Sequence, residues 1–162
     1  MLWSVSFTPR GQGVIAGGLG GTLWRWDLRS GKRSTFKGHQ GAIHSLATRD
    51  DVAATAAVDR TVRLWSLARR QPAEAANAPV WGLDFTPDGR ALLAGTRDRR
   101  VRRWQIHDGA LVGSYGGHHG RVTSVSVAPT GRLLATGSGD RTVRLWKTNT
   151  GALQETLLGH QA

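Results

Sequence analysis

At 162 residues, 39% hydrophobic and 20% charged, the chain is long enough to bury a sizeable core and reads as globular rather than disordered. The absence of cysteine excludes disulfides, thiolate metal sites, thiol nucleophiles and haem attachment at CxxCH, and leaves the redox compartment open. A net charge of +11, carried by 19 Arg and 3 Lys against 9 Asp and 2 Glu, fits an anionic partner only if it clusters on one surface; spread out, it is a solvated strand surface.

The first segment, Met1-Leu-Trp-Ser-Val-Ser-Phe7, alternates and carries neither a basic leader nor an apolar run of signal length. No stretch approaches membrane-spanning length, so the default compartment is the cytoplasm. Phe7-Thr-Pro9 follows, then Gly11-Gln-Gly13-Val-Ile-Ala16, a formal match to the GxGxxA of dinucleotide-binding folds. That motif needs a preceding parallel strand and a following helix. Here it follows a proline turn and enters a strand, so it reads as a turn, and no cofactor is expected. The segment closes on Thr22-Leu-Trp-Arg-Trp26, with Gly20 six residues before the last Trp.

Gly38-His39 opens the next segment, which contains Asp59 and closes on Thr61-Val-Arg-Leu-Trp65. The third contains Val80-Trp-Gly-Leu-Asp-Phe85, the turn sequence Thr86-Pro-Asp-Gly89, Asp98 and Arg100-Val-Arg-Arg-Trp104. Its alternation predicts strands at 80–85, 91–95, 101–106 and 111–115. The fourth runs from Gly117-His118 through Val122-Thr-Ser-Val-Ser-Val127, Ala128-Pro-Thr-Gly131 and Asp140 to Thr142-Val-Arg-Leu-Trp146, and Gly159-His160 comes after it.

Trp26, Trp65, Trp104 and Trp146 are thus 39, 39 and 42 residues apart. The steps from Phe7 to Gly20, Phe85 to Asp98 and Val127 to Asp140 are 13 residues each. A fixed period of this size marks a repeat architecture. Within each copy, short alternating runs are separated by Pro-x-Gly turn chemistry, so each copy reads as four strands. No stretch has helical periodicity and length.

Together these residues resemble the WD40 repeat family, over the whole chain. The combination of Gly-His, Pro-x-Gly and Asp-x-Thr-Val-Arg-Leu-Trp is specific to it, and Gly117 to Trp146 matches almost throughout. The resemblance implies an all-β propeller domain over 1–162 with four antiparallel four-stranded blades, near 1–37, 38–76, 77–116 and 117–158. Such a set is a partial propeller or half of an assembled ring. It also implies a buried hydrogen-bond chain in each blade, running from a strand Trp through a Ser or Thr to the loop His and the turn Asp. Carried over, the second blade has Trp65, Thr55, His39 and Asp59. The fourth has Trp146, His118, Asp140 and Thr136, with Ser138 as a second candidate relay. In the third, Asp98 and Trp104 remain while Ala76 takes the His position. In the first, Ala16 and Gly20 stand where Thr and Asp would be.

These are scaffold residues, and no catalytic or metal-ligating residue is assigned. His118-His119 lacks a third ligand at a recognised spacing, and no phosphate loop, HExxH or nucleophile elbow occurs. The Arg run at 97, 99, 100, 102 and 103 is the densest charge cluster, but Arg102 and Arg103 point to opposite sheet faces.

Family members bind partners near the start of each blade's first strand and just before the turn Asp. By register this gives a rim of Trp3, His44, Trp81, Arg97, Arg121 and Thr123, with Pro79, Val58 and Gly139 beside them. Aromatic burial and charge-assisted bonds there would anchor a protein or peptide. Against this, Trp3 alternates in phase with Val5, and Trp81 with Leu83 and Phe85, which would place both indoles in the core. The resulting expectation is a non-catalytic scaffold for protein–protein contacts. The alternatives are an Arg-rich nucleic-acid or polyanion binder, or the docking part of a larger multidomain enzyme. Ile43 stands four positions after His39 and Val122 four after His118, and the same count joins His160 to Leu2 of a following copy. A homodimer completing an eight-bladed ring is the assembly this spacing suggests.

Overall fold

The computed structural model describes residues 1–67, 72–74 and 79–159. Ala76 and His160 lie outside the described residues. The chain divides into two compact units, Met1–Val80 and Trp81–Ala162.

The first unit holds two antiparallel sheets. One consists of β1 (Leu2–Phe7), β2 (Gly13–Gly18), β3 (Leu23–Asp27) and β4 (Arg33–Phe36). The other consists of β5 (Ile43–Arg49), β6 (Val52–Ala57), β7 (Val62–Ser66) and β8 (Pro72–Glu74). The second unit repeats the plan. Its third sheet comprises β9 (Val80–Phe85), β10 (Ala91–Thr96), β11 (Arg100–Gln105) and β12 (Leu111–Gly116). Its fourth comprises β13 (Val122–Val127), β14 (Leu133–Ser138), β15 (Val143–Lys147) and β16 (Leu153–Leu157). In every sheet the strands follow chain order, so each repeat is one meander, or blade. The third-copy strands fall within one residue of the predicted bounds. Among the described residues the only helical element is a short 3-10 turn at Pro9–Gly11, and no helix could cross a membrane.

Turn chemistry explains the meander. After the first strand of blades one, three and four, Gly11, Gly89 and Gly131 donate to the carbonyls of Thr8, Thr86 and Ala128 at 2.8–2.9 Å. Each adopts φ between +65° and +72°, which glycine enters without a Cβ clash. Blade two has no Pro-x-Gly there. It makes a tight Arg49–Val52 hairpin with Asp50 at φ +47°.

Each unit is held by a core between its two sheets. In the first, Ile15, Leu23 and Phe36 of one blade meet Ile43, Leu46 and Trp65 of the next. In the second, Leu93, Val101 and Tyr115 meet Val122, Leu134 and Trp146. Burying an aliphatic or aromatic side chain of this size stabilises by roughly 1.5–3 kcal/mol. The sheets approach so closely that glycine is required on the facing strand. A Cβ on Gly17 would lie 2.7 Å from the Ile43 side chain, and one on Gly95 would lie 2.6 Å from that of Val122. Polar ties span the same gaps. Arg25 donates to the Leu67 carbonyl at 3.0 Å in the first unit, and the Tyr115 hydroxyl donates to the Thr148 carbonyl at 2.6 Å in the second.

Candidate interaction surface

Two of the four blades carry a buried polar chain. In blade two, Trp65 Nε1 donates to Thr55 Oγ1 at 2.7 Å, and Thr55 Oγ1 lies 2.7 Å from His39 Nε2. His39 Nδ1 lies 2.8 Å from Asp59 Oδ2. Asp59 also accepts from the Gln40 and Thr61 amides at 2.8 and 3.0 Å and from the Thr61 hydroxyl at 2.8 Å. Blade four repeats this arrangement. Trp146 donates to Thr136, Thr136 meets His118, and His118 meets Asp140, each at 2.8 Å. Thr136 is the relay, and Ser138 instead accepts from the Asp140 amide at 3.2 Å.

Running each proton one way, from indole to Thr to His to Asp, needs a neutral imidazole protonated on Nδ1. The electrostatics agree with that assignment. Burial outweighs the neighbouring carboxylate and lowers the His39 and His118 pKa values below the ordinary histidine range. Burial alone would raise the Asp59 carboxyl, but the amide and hydroxyl donors that surround it outweigh burial and hold it at about 2. Asp140 is held low by the same balance.

Blades one and three are built differently. In blade three, Ala94 occupies the relay position opposite Arg102, as Thr55 stands opposite Arg63 and Thr136 opposite Arg144. Asp98 therefore turns to the Thr96 hydroxyl and to Arg102 Nη2, the latter at 2.6 Å. Among the described residues no hydrogen bond joins Asp98 to Trp104, although Trp104 is buried. The signal for the missing relay is in the sequence, because Thr55, Ala94 and Thr136 each stand ten residues before their Trp. In blade one Ala16 pairs with Trp24, and Trp26 stacks on Trp24 at 6.0 Å.

The rim lies at the sheet end that carries the turns between second and third strands. Pairing shifts register between Leu2 and Ser4, between Ile43 and Ser45, and between Val122 and Ser124. Trp3, His44 and Thr123 are the extra residue at these β-bulges, which re-aim a side chain away from its strand's alternation. Val5, in phase with it, is 68% exposed, and Trp3 does not enter the core that alternation implies. It is 44% exposed and stacks on His44 at 5.0 Å and 17°. In the second unit Arg121 lies over the half-buried Trp81 ring at 5.5 Å, the Arg121 carbonyl accepts from Gly139, and Thr123 donates to the Gly137 carbonyl at 3.2 Å. Arg97 is exposed in the turn beside Asp98. The rim residues thus form two groups, Trp3 with His44 in one unit and Trp81 with Arg121 in the other.

One feature recurs that alternation does not signal. The residue after each turn Asp, namely Arg60, Arg99 and Arg141, sits at φ +67° to +69°, where blade one has Gly21. A non-glycine side chain there costs roughly 1–2 kcal/mol, and all three Arg side chains are exposed at the rim. At the opposite sheet end each unit has a polar cleft. One of about 190 Å³ contains Arg25, Asp50 and Asp51, and one of about 510 Å³ contains Arg103 and Asp88. Both mix the two signs of charge.

The family model described as "WD domain, G-beta repeat" matches residues 31–66, 72–105 and 109–147. The chain is 30% identical over 132 residues to Autophagy-related protein 16 of Arabidopsis thaliana, covering 76% of this chain and 26% of that protein. It is 25% identical over 129 residues to Transcription initiation factor TFIID subunit 5 of Caenorhabditis elegans, covering 76% and 20%. It is 44% identical over 78 residues to Eukaryotic translation initiation factor 3 subunit I of Aspergillus oryzae, covering 46% and 23%. The chain therefore spans about a quarter or less of each of these relatives.

Proposed function

Because the chain belongs to the WD40 repeat family, and its curated relatives include WD-repeat members named as subunits of larger assemblies, we propose that it is a non-catalytic scaffold that docks a protein or peptide partner on its rim. The observation that carries this reading is the bulge at the start of the first strand. It holds Trp3 and His44 as a stacked, partly solvent-facing pair instead of releasing them into the core. Aromatic side chains next to Arg are the group types that dominate protein interfaces. Arg121 over Trp81 supplies that pairing in the second unit. The rim carboxylates are occupied internally, since Asp59 and Asp140 face their own histidines and amides. No catalytic group, cofactor or metal belongs to this reading.

A second reading has one observation in its favour. In the second unit Arg97, Arg99, Arg121 and Arg141 are exposed at the turn-bearing sheet ends, a set that would also receive nucleic acid. Salt separates the two. Peptides selected from a displayed random library on the immobilised chain are expected to weaken only a few-fold between about 50 and 200 mM salt. A backbone-tracking oligonucleotide would lose on the order of 10³ in affinity over that range. Recovery of no peptide, together with tight oligonucleotide binding of steep salt dependence, would replace the scaffold reading with the polyanion one.

A further inference from the structure

The polar clefts at the sheet ends away from the rim are built from equivalent positions, one cleft in each unit, and they differ in what their arginine does. Arg25 and Arg103 each immediately precede the third-strand Trp. Leu67 and Thr148 each stand two residues after the Trp of the following blade. Phe36 and Tyr115 also correspond, pairing with Leu23 and Val101.

In the first unit Phe36 has no hydroxyl, and Arg25 donates to the Leu67 carbonyl at 3.0 Å. The guanidinium thereby bridges two blades beside a cleft of about 190 Å³. In the second unit the Tyr115 hydroxyl takes the corresponding carbonyl, that of Thr148, at 2.6 Å. Arg103 is left without that acceptor. It stands half-buried beside the Tyr115 hydroxyl and makes no ion pair among the described residues. Its cleft is about 510 Å³, and small-ligand sites are roughly 300–1,000 Å³.

Two further groups line the same space. Asp88 uses Oδ1 for the Thr86 hydroxyl at 2.5 Å and the Arg90 amide at 3.0 Å, while Oδ2 accepts no hydrogen bond among the described residues. Those two donors hold its carboxyl below the ordinary range, so it is charged at neutral pH. The Thr148 side chain is buried, and its hydroxyl has no partner among the described residues. Buried polar groups are almost always hydrogen-bonded, so this one calls for a partner.

We infer that the cleft of the second unit binds a small zwitterion, an α-amino acid, with its carboxylate against Arg103 and Thr148 and its ammonium against Asp88. A planar guanidinium meets a carboxylate through two parallel N–H···O bonds, and partial burial strengthens that pairing. Asp88 selects among anions. A phosphate or a dicarboxylate would bring further negative charge to its side, whereas an ammonium pairs with it. The first unit does not offer the same site, because Arg25 is engaged with the Leu67 carbonyl and Leu67 has no hydroxyl. The site is independent of what binds the rim.

The test is isothermal titration calorimetry of the 162-residue chain, at two temperatures, with each of the common protein amino acids and with succinate and inorganic phosphate. At least one amino acid is expected to bind at one per chain, with succinate and phosphate at least about tenfold weaker. Arg103→Gln and Asp88→Asn are each expected to cost at least about tenfold in affinity, the loss of a charge-assisted contact. Arg25→Gln is expected to leave affinity unchanged. Tyr115→Phe recreates the Phe36 arrangement, so Arg103 is expected to turn to the Thr148 carbonyl and affinity to fall, with unchanged far-ultraviolet circular dichroism. That variant and Asp88→Asn decide the matter even where Arg103→Gln unfolds. No binding by any amino acid overturns the proposal, as does phosphate or succinate binding equally tightly. So does amino-acid binding that survives both Tyr115→Phe and Asp88→Asn, or that is lost in Arg25→Gln.

Discussion

Asp140→Ala is expected to destabilise the protein by about 1–3 kcal/mol, the cost of stranding buried polar partners, and Asp98→Ala by under about 1 kcal/mol. The two aspartates occupy the same turn position of successive repeats, so composition and local sequence do not separate them. Their surroundings do. Asp140 closes a chain that starts at the buried Trp146 indole and accepts from His118, the His119 amide and both the amide and hydroxyl of Thr142. Removing it leaves the His118 Nδ1 proton without its carboxylate inside a nearly inaccessible pocket. Asp98 is partly exposed, and its main partner, Arg102, regains water when the pair is broken. Urea denaturation of both variants measures the difference. Equal midpoint shifts would mean that the buried chain contributes no more than a surface ion pair.

Acid is expected to unfold the protein in two stages, both losing stability as pH falls. The first stage belongs to His39 and His118, whose folded pKa values lie below the ordinary histidine value of 6.5 because burial favours the neutral ring. Below about 6.5 the unfolded chain takes up protons that the folded chain does not, so stability drops. Above that pH the two states match and this contribution is fully present. The second stage belongs to Asp59 and Asp140, both lowered from 3.8, with Asp59 at about 2. Their stabilisation is complete above the unfolded value and is lost through the folded one. Each proton the unfolded chain holds in excess changes stability by about 1.4 kcal/mol per pH unit. Unfolding midpoints are therefore expected to fall from pH 7 to 5 and more steeply below 4. His118→Gln should flatten the first stage. A midpoint that rises between pH 7 and 5 would mean the histidines are held charged in the fold.

The repeat period, the four-strand copies and the residues of the two complete polar chains were legible because each rests on local chemistry. The evenly spaced Trp residues, the Pro-x-Gly turns and the alternating runs all act within one repeat. The position of Trp3 was not legible in the same way. Alternation put it in the core with Val5, but Val5 is 68% exposed, and Trp3 stands on a bulge between Leu2 and Ser4 and stacks on His44. Nor does alternation distinguish Val5 from Val125, which share a register position and differ only in whether a neighbouring blade covers them. The ties from Arg25 to Leu67 and from Tyr115 to Thr148 join residues in different repeats, 42 and 33 positions apart, and nothing local announces such partners. The absent relay at Ala94 was missed, although its ten-residue offset to Trp104 carries the signal, and it explains why Asp98 turns outward to Arg102.

If the rim, and not a cleft at the opposite sheet end, receives a protein partner, removing a rim indole weakens binding of that partner. A library-selected peptide titrated against the wild type and against Trp3→Ala and Trp81→Ala, with the urea midpoint of each variant measured alongside, reads this out. At least about a tenfold loss of affinity, roughly 1.4 kcal/mol, is expected in one or both variants whose midpoints stay near wild type. Unchanged affinity in both, with the fold intact, would contradict it.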